Sequence, residues 1–160
     1  MVDYLIVGLG LAGIAFCERL EQQARTFSVI NDDSQTSSNI AGGLYNPVLL
    51  KRFSLAWKAD EQLKMILPFY KNLEDKLKIT LDYKVPVLRI FASVEEQNLW
   101  FEAADKKKLQ PYLSTKLLDN NNPCIKAPFG FGEVLHTGRV DTKVLAKAYS
   151  GYLSKKKLLD

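Results

Sequence analysis

An α/β fold that opens on a parallel βαβ unit is predicted by three features near the N-terminus of this 160-residue chain. Tyr4-Leu5-Ile6-Val7 is a short apolar run ending at glycine, the pattern of a parallel strand buried on both faces. From Leu11 to about Gln23, Ile14, Cys17, Leu20 and Ala24 recur at helical spacing, with Glu18, Arg19, Glu21 and Gln22 on the other side. Phe27-Ser28-Val29-Ile30 is a second apolar run, closed by Asn31-Asp32-Asp33. Residues 3 to 33 therefore read as strand, tight turn, helix and strand.

A polar segment from Ser34 to Asn39 and the small-residue stretch Ile40-Ala41-Gly42-Gly43 follow. The spacing of Leu63, Ile66, Leu67, Tyr70, Leu73 and Leu77 predicts an amphipathic helix from Phe53 to about Lys78, which Pro68 should kink or divide. Val85 to Ala92 reads as a strand. Ser93 followed by Glu96 is a capping box for a helix carrying Leu99, Trp100 and Ala103. Beyond Pro111, turn signals at Asn120-Asn121-Asn122-Pro123 and Pro128-Phe129-Gly130-Phe131-Gly132 bracket short runs, Cys124 to Ala127 and Glu133 to His136, and predict an antiparallel meander. Asp141 or Thr142 caps a last helix through Val144, Leu145, Ala148 and Tyr149. The boundaries that result are 1–78 for the nucleotide-binding part with its following helix, 79–140 for an α+β part with antiparallel strands, and 141–160 for a returning helix.

Composition narrows the function classes. The 22 basic and 18 acidic residues give a net charge of +4, and the lysines are spread out except at 106–108 and 155–157. A dedicated nucleic-acid face would cluster them among aromatics, so the charge supports no more than tolerance of an anionic ligand. Cys17 and Cys124 lie far apart, with neither metal-ligand nor disulfide spacing, which suits a reducing compartment; both are expected in the core. The uncharged run from Tyr4 to Cys17 contains three glycines, lacks a basic flank and is shorter than the roughly 20 residues that cross a bilayer. These features predict a cytoplasmic protein without a membrane segment or a metal site.

The chemistry is concentrated in Gly8-Leu9-Gly10-Leu11-Ala12-Gly13. Gly8 permits the tight turn off the strand, Gly10 lets backbone approach a pyrophosphate, and Gly13 lets the helix pack closely on the strand. The helix N-terminus offers free N–H groups and a positive dipole end, so no cationic side chain is needed, and none lies between Met1 and Glu18. A glycine fingerprint alone is weak; here it follows a predicted strand, opens a helix, and is followed about 20 residues later by a second strand with a polar end. That context predicts a Rossmann-type dinucleotide site. At the tip of the second strand, where a carboxylate would accept from the ribose hydroxyls, stand Asn31 and then Asp32 and Asp33. Asparagine accepts through its amide oxygen without the charge, and the acidic neighbourhood disfavours a ribose 2′-phosphate.

Asp3 to Gly13 at the N-terminus, together with Ser38-Asn39-Ile40-Ala41-Gly42-Gly43-Leu44-Tyr45-Asn46-Pro47, resembles the opening of FAD-dependent oxidoreductases of the D-amino-acid oxidase type. Its flavour is that of glycine oxidases and of the oxidase half of the bifunctional enzyme that modifies the wobble uridine of tRNA. Gly138-Arg139-Val140-Asp141-Thr142 is a third echo. The resemblance implies FAD as cofactor and a small-residue loop lying along it, with Ser38, Ala41, Gly42 and Gly43 beside Gly8, Gly10, Leu11, Ala12, Gly13, Asn31 and Asp32. It also implies a substrate domain inserted in the FAD domain, and oxidation of an amine or amino-acid C–N bond. A tRNA partner rests on the resemblance alone. Cys17 replaces the usual Ala or Gly, and Asn31 the usual Glu.

The residues that anchor substrate in such enzymes lie mostly in a C-terminal half with no counterpart here, so the chain reads as an N-terminal portion and its catalytic residues as unknown. His136 has no evident partner, Arg89 is either turned to a substrate cavity or a solvent-facing arginine, and Trp57 and Trp100 read as core. Only two parallel strands are legible. Their open edges predict either an oligomer that covers them or a marginally stable monomer that binds FAD weakly. The alternatives left open are an NAD-binding protein and a non-catalytic dinucleotide-binding module.

Overall fold

The computed structural model describes residues 1–32 and 37–160; Asp33 and the polar residues 34–36 fall outside the described residues. Its elements in chain order are β1 (Tyr4–Val7), α1 (Leu11–Gln22), β2 (Phe27–Ile30), α2 (Ser37–Ile40), β3 (Leu44–Tyr45), β4 (Val48–Leu49), β5 (Ser54–Leu55), α3 (Ala59–Leu77), β6 (Asp82–Tyr83), β7 (Val87–Ile90), α4 (Val94–Ala104), β8 (Leu113–Leu118), β9 (Phe131–Val134), β10 (Gly138–Val140) and α5 (Thr142–Lys155). They divide into two compact units, one of Met1–Gly43, Tyr70–Asp82 and Val140–Asp160, the other of Leu44–Phe69 and Tyr83–Arg139. Leu44–Phe69 thus accompanies the antiparallel strands, and the last helix accompanies the N-terminal unit.

In the first unit β1 and β2 pair in parallel, Tyr4 opposite Phe27 and Val7 opposite Ile30. The start of the pair is clamped by Asp3, whose carboxylate accepts from the Thr26 N–H (2.9 Å) and hydroxyl (2.8 Å). The expectation of only two parallel strands is corrected by the C-terminus. Val29 N–H donates to the Leu158 carbonyl (2.7 Å), Asp160 N–H to that of Val29 (2.9 Å) and Asn31 N–H to that of Asp160 (3.3 Å). The bridge between Val29 and Leu159 is parallel, so the far edge of β2 is covered within the chain. Among the described residues β1 pairs with β2 alone. Nor is β1 buried on both faces: Ile6 is inside, whereas Leu5 and Val7 on the opposite face are exposed.

Helix α1 buries Ile14, Cys17 and Leu20, as the spacing predicts. Glu18, expected on the solvent side, is buried as well. It takes the Tyr149 hydroxyl of α5 (2.7 Å) and pairs with Lys76 of α3, which also pairs with Glu21. Glu21 accepts in addition from Tyr152 (2.9 Å) and Lys156 (2.9 Å). Burial pushes the Glu21 carboxyl up, but the hydrogen bonds from Lys76, Lys156 and Tyr152 outweigh it and leave it below the ordinary value. Burial, with the charges of Glu21 and Glu18, pushes the Cys17 thiol up to about 11, so this cysteine is inert packing. The helix ends before Ala24, which has φ +52° and closes the C-terminus in the left-handed region.

The second unit is built on an antiparallel sheet of order β7-β9-β8. Val87 faces Val134 and Ile90 faces Phe131, while β8 meets β9 through an irregularity between Leu113 and Leu117. Helix α4 packs Trp100, Ala103 and Ala104 into a core with Phe91, Leu113 and Val134. Gly132 lies beneath it; a Cβ there would come within 2.5 Å of the Trp100 ring and 2.7 Å of Phe91. The Trp100 indole N–H is satisfied by the Ser114 carbonyl (2.9 Å). Ser93 caps α4 by accepting from Glu96 N–H, but the Glu96 carboxylate reaches back to Ala92 N–H (2.7 Å) rather than to the cap residue itself.

Several sequence expectations change here. The helix expected from Phe53 begins at Ala59, because residues 48–55 form the hairpin β4-β5 and Phe53 and Lys58 take positive φ. Pro68 sits inside α3 without dividing it. Trp57 stands in the turn before the helix and is exposed, and Cys124 is exposed too. Cys124 to Ala127 is turn, not strand, held by the Asn122 side chain accepting from Cys124 N–H (3.0 Å). The strands of the meander are β8 and β9 instead, and His136 lies beyond β9 with φ +59° and its ring edge-on to Tyr112. Arg89 lies on the surface with its side chain 37% exposed, and its Nε donates to Glu96 (2.9 Å). Among the described residues no helix is long and apolar enough to cross a membrane.

Candidate functional site

The loop between β1 and α1 is shaped by its glycines for three separate reasons. Gly8 has φ +92°, a backbone conformation that a side chain resists, although the space around it is open. A Cβ at Gly13 would lie 2.4 Å from the Gly8 carbonyl oxygen, so α1 approaches the loop as closely as only glycine allows. Gly10 is extended, at φ −73° and ψ −177°, and needs no positive φ; the atom nearest to its added Cβ is the Ser38 hydroxyl at 3.3 Å. Its bare backbone keeps the space in front of the helix clear.

That space is a cavity of about 700 Å³. Gly8, Gly10, Ala12 and Gly13 line it from α1 and its loop, Asn31 and Asp32 from the tip of β2, and Ser38 from α2. Seven of the eleven residues expected to touch a dinucleotide are thus brought to one place. Of the other four, Leu11 contributes its N–H, which donates to the Ser38 hydroxyl (3.4 Å). Ala41, Gly42 and Gly43 do not line the cavity. Gly43 has φ +68°, and a Cβ there would lie 1.9 Å from the Val140 carbonyl oxygen, so its conformation and the Val140 backbone account for it. The Ala41 carbonyl accepts from the Thr142 hydroxyl (3.3 Å), and at Gly42 the surrounding space is open.

The electrostatics of the cavity follow from backbone. No Lys or Arg stands among its described lining residues. The first helical bond of α1 runs from Ile14 N–H to the Gly10 carbonyl (2.9 Å), so the N–H groups of the first turn have no carbonyl partner within the helix. They converge on the cavity with the positive end of the helix dipole, which suits an anion. Asn31 has a different task from the one its position suggests: its amide oxygen accepts from Leu9 N–H (3.0 Å) and pins the glycine loop to the tip of β2. Asp32 is then the only acidic side chain among the described lining residues.

The sequence reading missed Ile6, Val7, Leu9, Phe16, Ile30 and Ser37, which complete the walls. Phe16 was findable: it stands three residues after Gly13, on the same helical face, and is half exposed with its ring edge-on to Tyr4 at 5.8 Å. Ile6, Val7 and Ile30 come from the paired strands, Leu9 from the glycine loop and Ser37 from α2.

No family model matches the chain. Solved structures do. A glycine oxidase from Bacillus cereus superposes with a TM-score of 0.65 at 18% identity, over 96% of this chain and 44% of that one. An iminodiacetate oxidase from Chelativorans sp. gives a TM-score of 0.70 at 12% identity, over 99% and 46%. A dithionite-reduced L-alpha-glycerophosphate oxidase from Mycoplasma pneumoniae, with FAD bound, gives 0.57 at 16%, over 99% and 44%. The chain therefore has the fold of these oxidases over nearly its whole length and spans less than half of theirs.

Proposed function

We propose that the cavity at the N-terminus of α1 holds the pyrophosphate of FAD, and that the chain serves an FAD-dependent oxidoreductase acting on an amine or amino-acid C–N bond. The observation that carries the reading is a glycine loop whose bare backbone opens on a cavity with no Lys or Arg among its described lining residues, in a fold shared with oxidases, one of them holding FAD. The donor set fits the ligand. Peptide N–H groups at Gly10, Ala12 and Gly13 would meet the phosphate oxygens, while those of Leu9 and Leu11 are held by Asn31 and Ser38.

Asp32 would accept from the ribose hydroxyls, since Asn31 is engaged with the loop. Its charge disfavours a ribose 2′-phosphate. FAD, when bound, supplies the acceptor for a hydride leaving the substrate carbon. The chain's own part, in this proposal, is to bind and orient that cofactor by its phosphates and ribose. His136 and Arg89, which is paired with Glu96, lie in the second unit, and no catalytic role is assigned to them.

The test is a titration of the protein and of Gly10→Val with FAD, followed by flavin fluorescence. The parent should bind and the variant should not, because a branched side chain would fill the approach to the phosphates. Equal binding by both refutes the site. One observation favours a second reading, a dinucleotide-binding module without catalysis: the carboxylate usual at the end of the second strand is replaced by Asn31. A parent that takes up no FAD but binds NAD or ADP would support it.

A further inference from the structure

The second unit carries a cavity of about 740 Å³, remote in sequence from the glycine loop and unused by the function proposed above. Its floor follows from the register of the sheet. Leu88 and Ile90 alternate with Arg89, which reaches Glu96 on α4, so they stand on the face that α4 leaves uncovered. Ile90 is opposite Phe131 in β9, and Leu117 and Ile125 add the walls. Leu88, Ile90, Leu117 and Ile125 are each 39–45% exposed, a concentration of apolar surface open to solvent.

The rim is polar and holds its shape. The Asn120 side chain accepts from Asn122 N–H (3.0 Å) and donates to the Ile125 carbonyl, and Asn122 in turn accepts from Cys124 N–H (3.0 Å). Asp119, just beyond the end of β8, is the one acidic residue among the described lining residues, and its carboxylate has no hydrogen-bond or ion-pair partner among the described residues. No Lys or Arg stands among those lining residues. An apolar floor beside a single uncompensated carboxylate complements a cation with an apolar tail and repels a carboxylate.

We infer that this cavity binds a primary alkylammonium or arylalkylammonium ion, its chain on Leu88, Ile90 and Phe131 and its ammonium at Asp119. The inference deepens the oxidase reading, on which it rests for the choice of amines, by favouring monoamines over amino acids as the class of ligand. A zwitterion would bring a second carboxylate beside Asp119, to described lining residues that include no cation.

Amide chemical shifts of the protein, titrated with hexylammonium, methylammonium and hexanoate, test it. Hexylammonium should move Leu88, Ile90, Asp119 and Phe131, and each methylene buried should tighten binding by up to about fourfold. Hexanoate and methylammonium should bind far more weakly, and Asp119→Asn, a change on the exposed rim, should weaken hexylammonium about threefold and should not weaken hexanoate. Hexanoate binding as tightly as hexylammonium, or indifference to chain length, overturns the inference. So does movement of the same amides with protein concentration alone, which would mean that a second copy covers the floor. Failure of the oxidase reading is distinguishable, because FAD binding is read at Gly8 to Gly13 and these amines in the second unit.

Discussion

Gly13→Ala sets two opposing effects against each other at the point where α1 meets its loop. Alanine in the first turn gains about 1 kcal/mol of helix propensity over glycine. The added Cβ would lie 2.4 Å from the Gly8 carbonyl oxygen, against an ordinary contact beginning near 3.4 Å. Because that neighbour is backbone in a turn already at φ +92°, it cannot give way cheaply, and α1 must retreat by roughly 1 Å. Overpacking of this kind costs about 1–3 kcal/mol, so the net loss of stability should be about 0–2 kcal/mol. The effect on ligand should be larger. Moving the first-turn N–H groups by such a distance takes a charge-assisted hydrogen bond out of range, a loss of about 1.5–3 kcal/mol, or about 10- to 100-fold in Kd for FAD. Urea unfolding and a flavin titration on one preparation separate the two effects. A variant more stable than the parent by about 1 kcal/mol, with unchanged affinity, would show that the close approach of helix and loop is not what shapes the site.

Three other outcomes follow from the same geometry. Lys76→Met leaves Glu18 and Glu21 without their shared cation in a partly buried setting, and should cost about 2–3 kcal/mol in urea unfolding at pH 7, shrinking as pH falls and the carboxylates protonate; an effect under about 0.5 kcal/mol would contradict it. The Thr26 backbone N–H, then its hydroxyl, hold the Asp3 carboxyl below its ordinary value, so this clamp contributes stability above the unfolded pKa and loses it as pH falls through the lower folded one; the parent should therefore lose more stability than Asp3→Asn between pH 5 and pH 2, measured by thermal melts. Asp32→Ala should weaken FAD binding by about 1 kcal/mol, and Asn31→Ala, by freeing Leu9 N–H, should lower stability as well; unchanged affinity for the first by calorimetry, or an unchanged melt for the second, would contradict this.

The local signals were the legible ones. A glycine fingerprint between an apolar run and a helical stripe placed β1, α1 and β2 within a residue or two, and Asp141 accepts from Val144 N–H (3.1 Å) as the cap of α5. What the pattern could not show was long-range. Glu18 looks solvent-facing by spacing, and becomes buried only because α3 and α5 bring Lys76 and Tyr149 to it across 58 and 131 residues. The parallel bridge on the far edge of β2 hid in Leu158, Leu159 and Asp160 because so short a backbone pairing has no periodicity to read. In the site, Asn31 occupies the expected position but turns its amide to Leu9, and Gly43 answers to Val140; residue type alone cannot separate a glycine kept clear for a ligand from one crowded by its own chain.

The central claim is that the first-turn N–H groups of α1 hold a pyrophosphate, and amide chemical shifts read them one at a time. On addition of FAD the account predicts the largest movements at Gly8, Gly10, Ala12, Gly13 and Asp32, with ADP reproducing them and inorganic phosphate producing a weaker version centred on Gly10 and Ala12. FAD that binds while these amides stay still would contradict it.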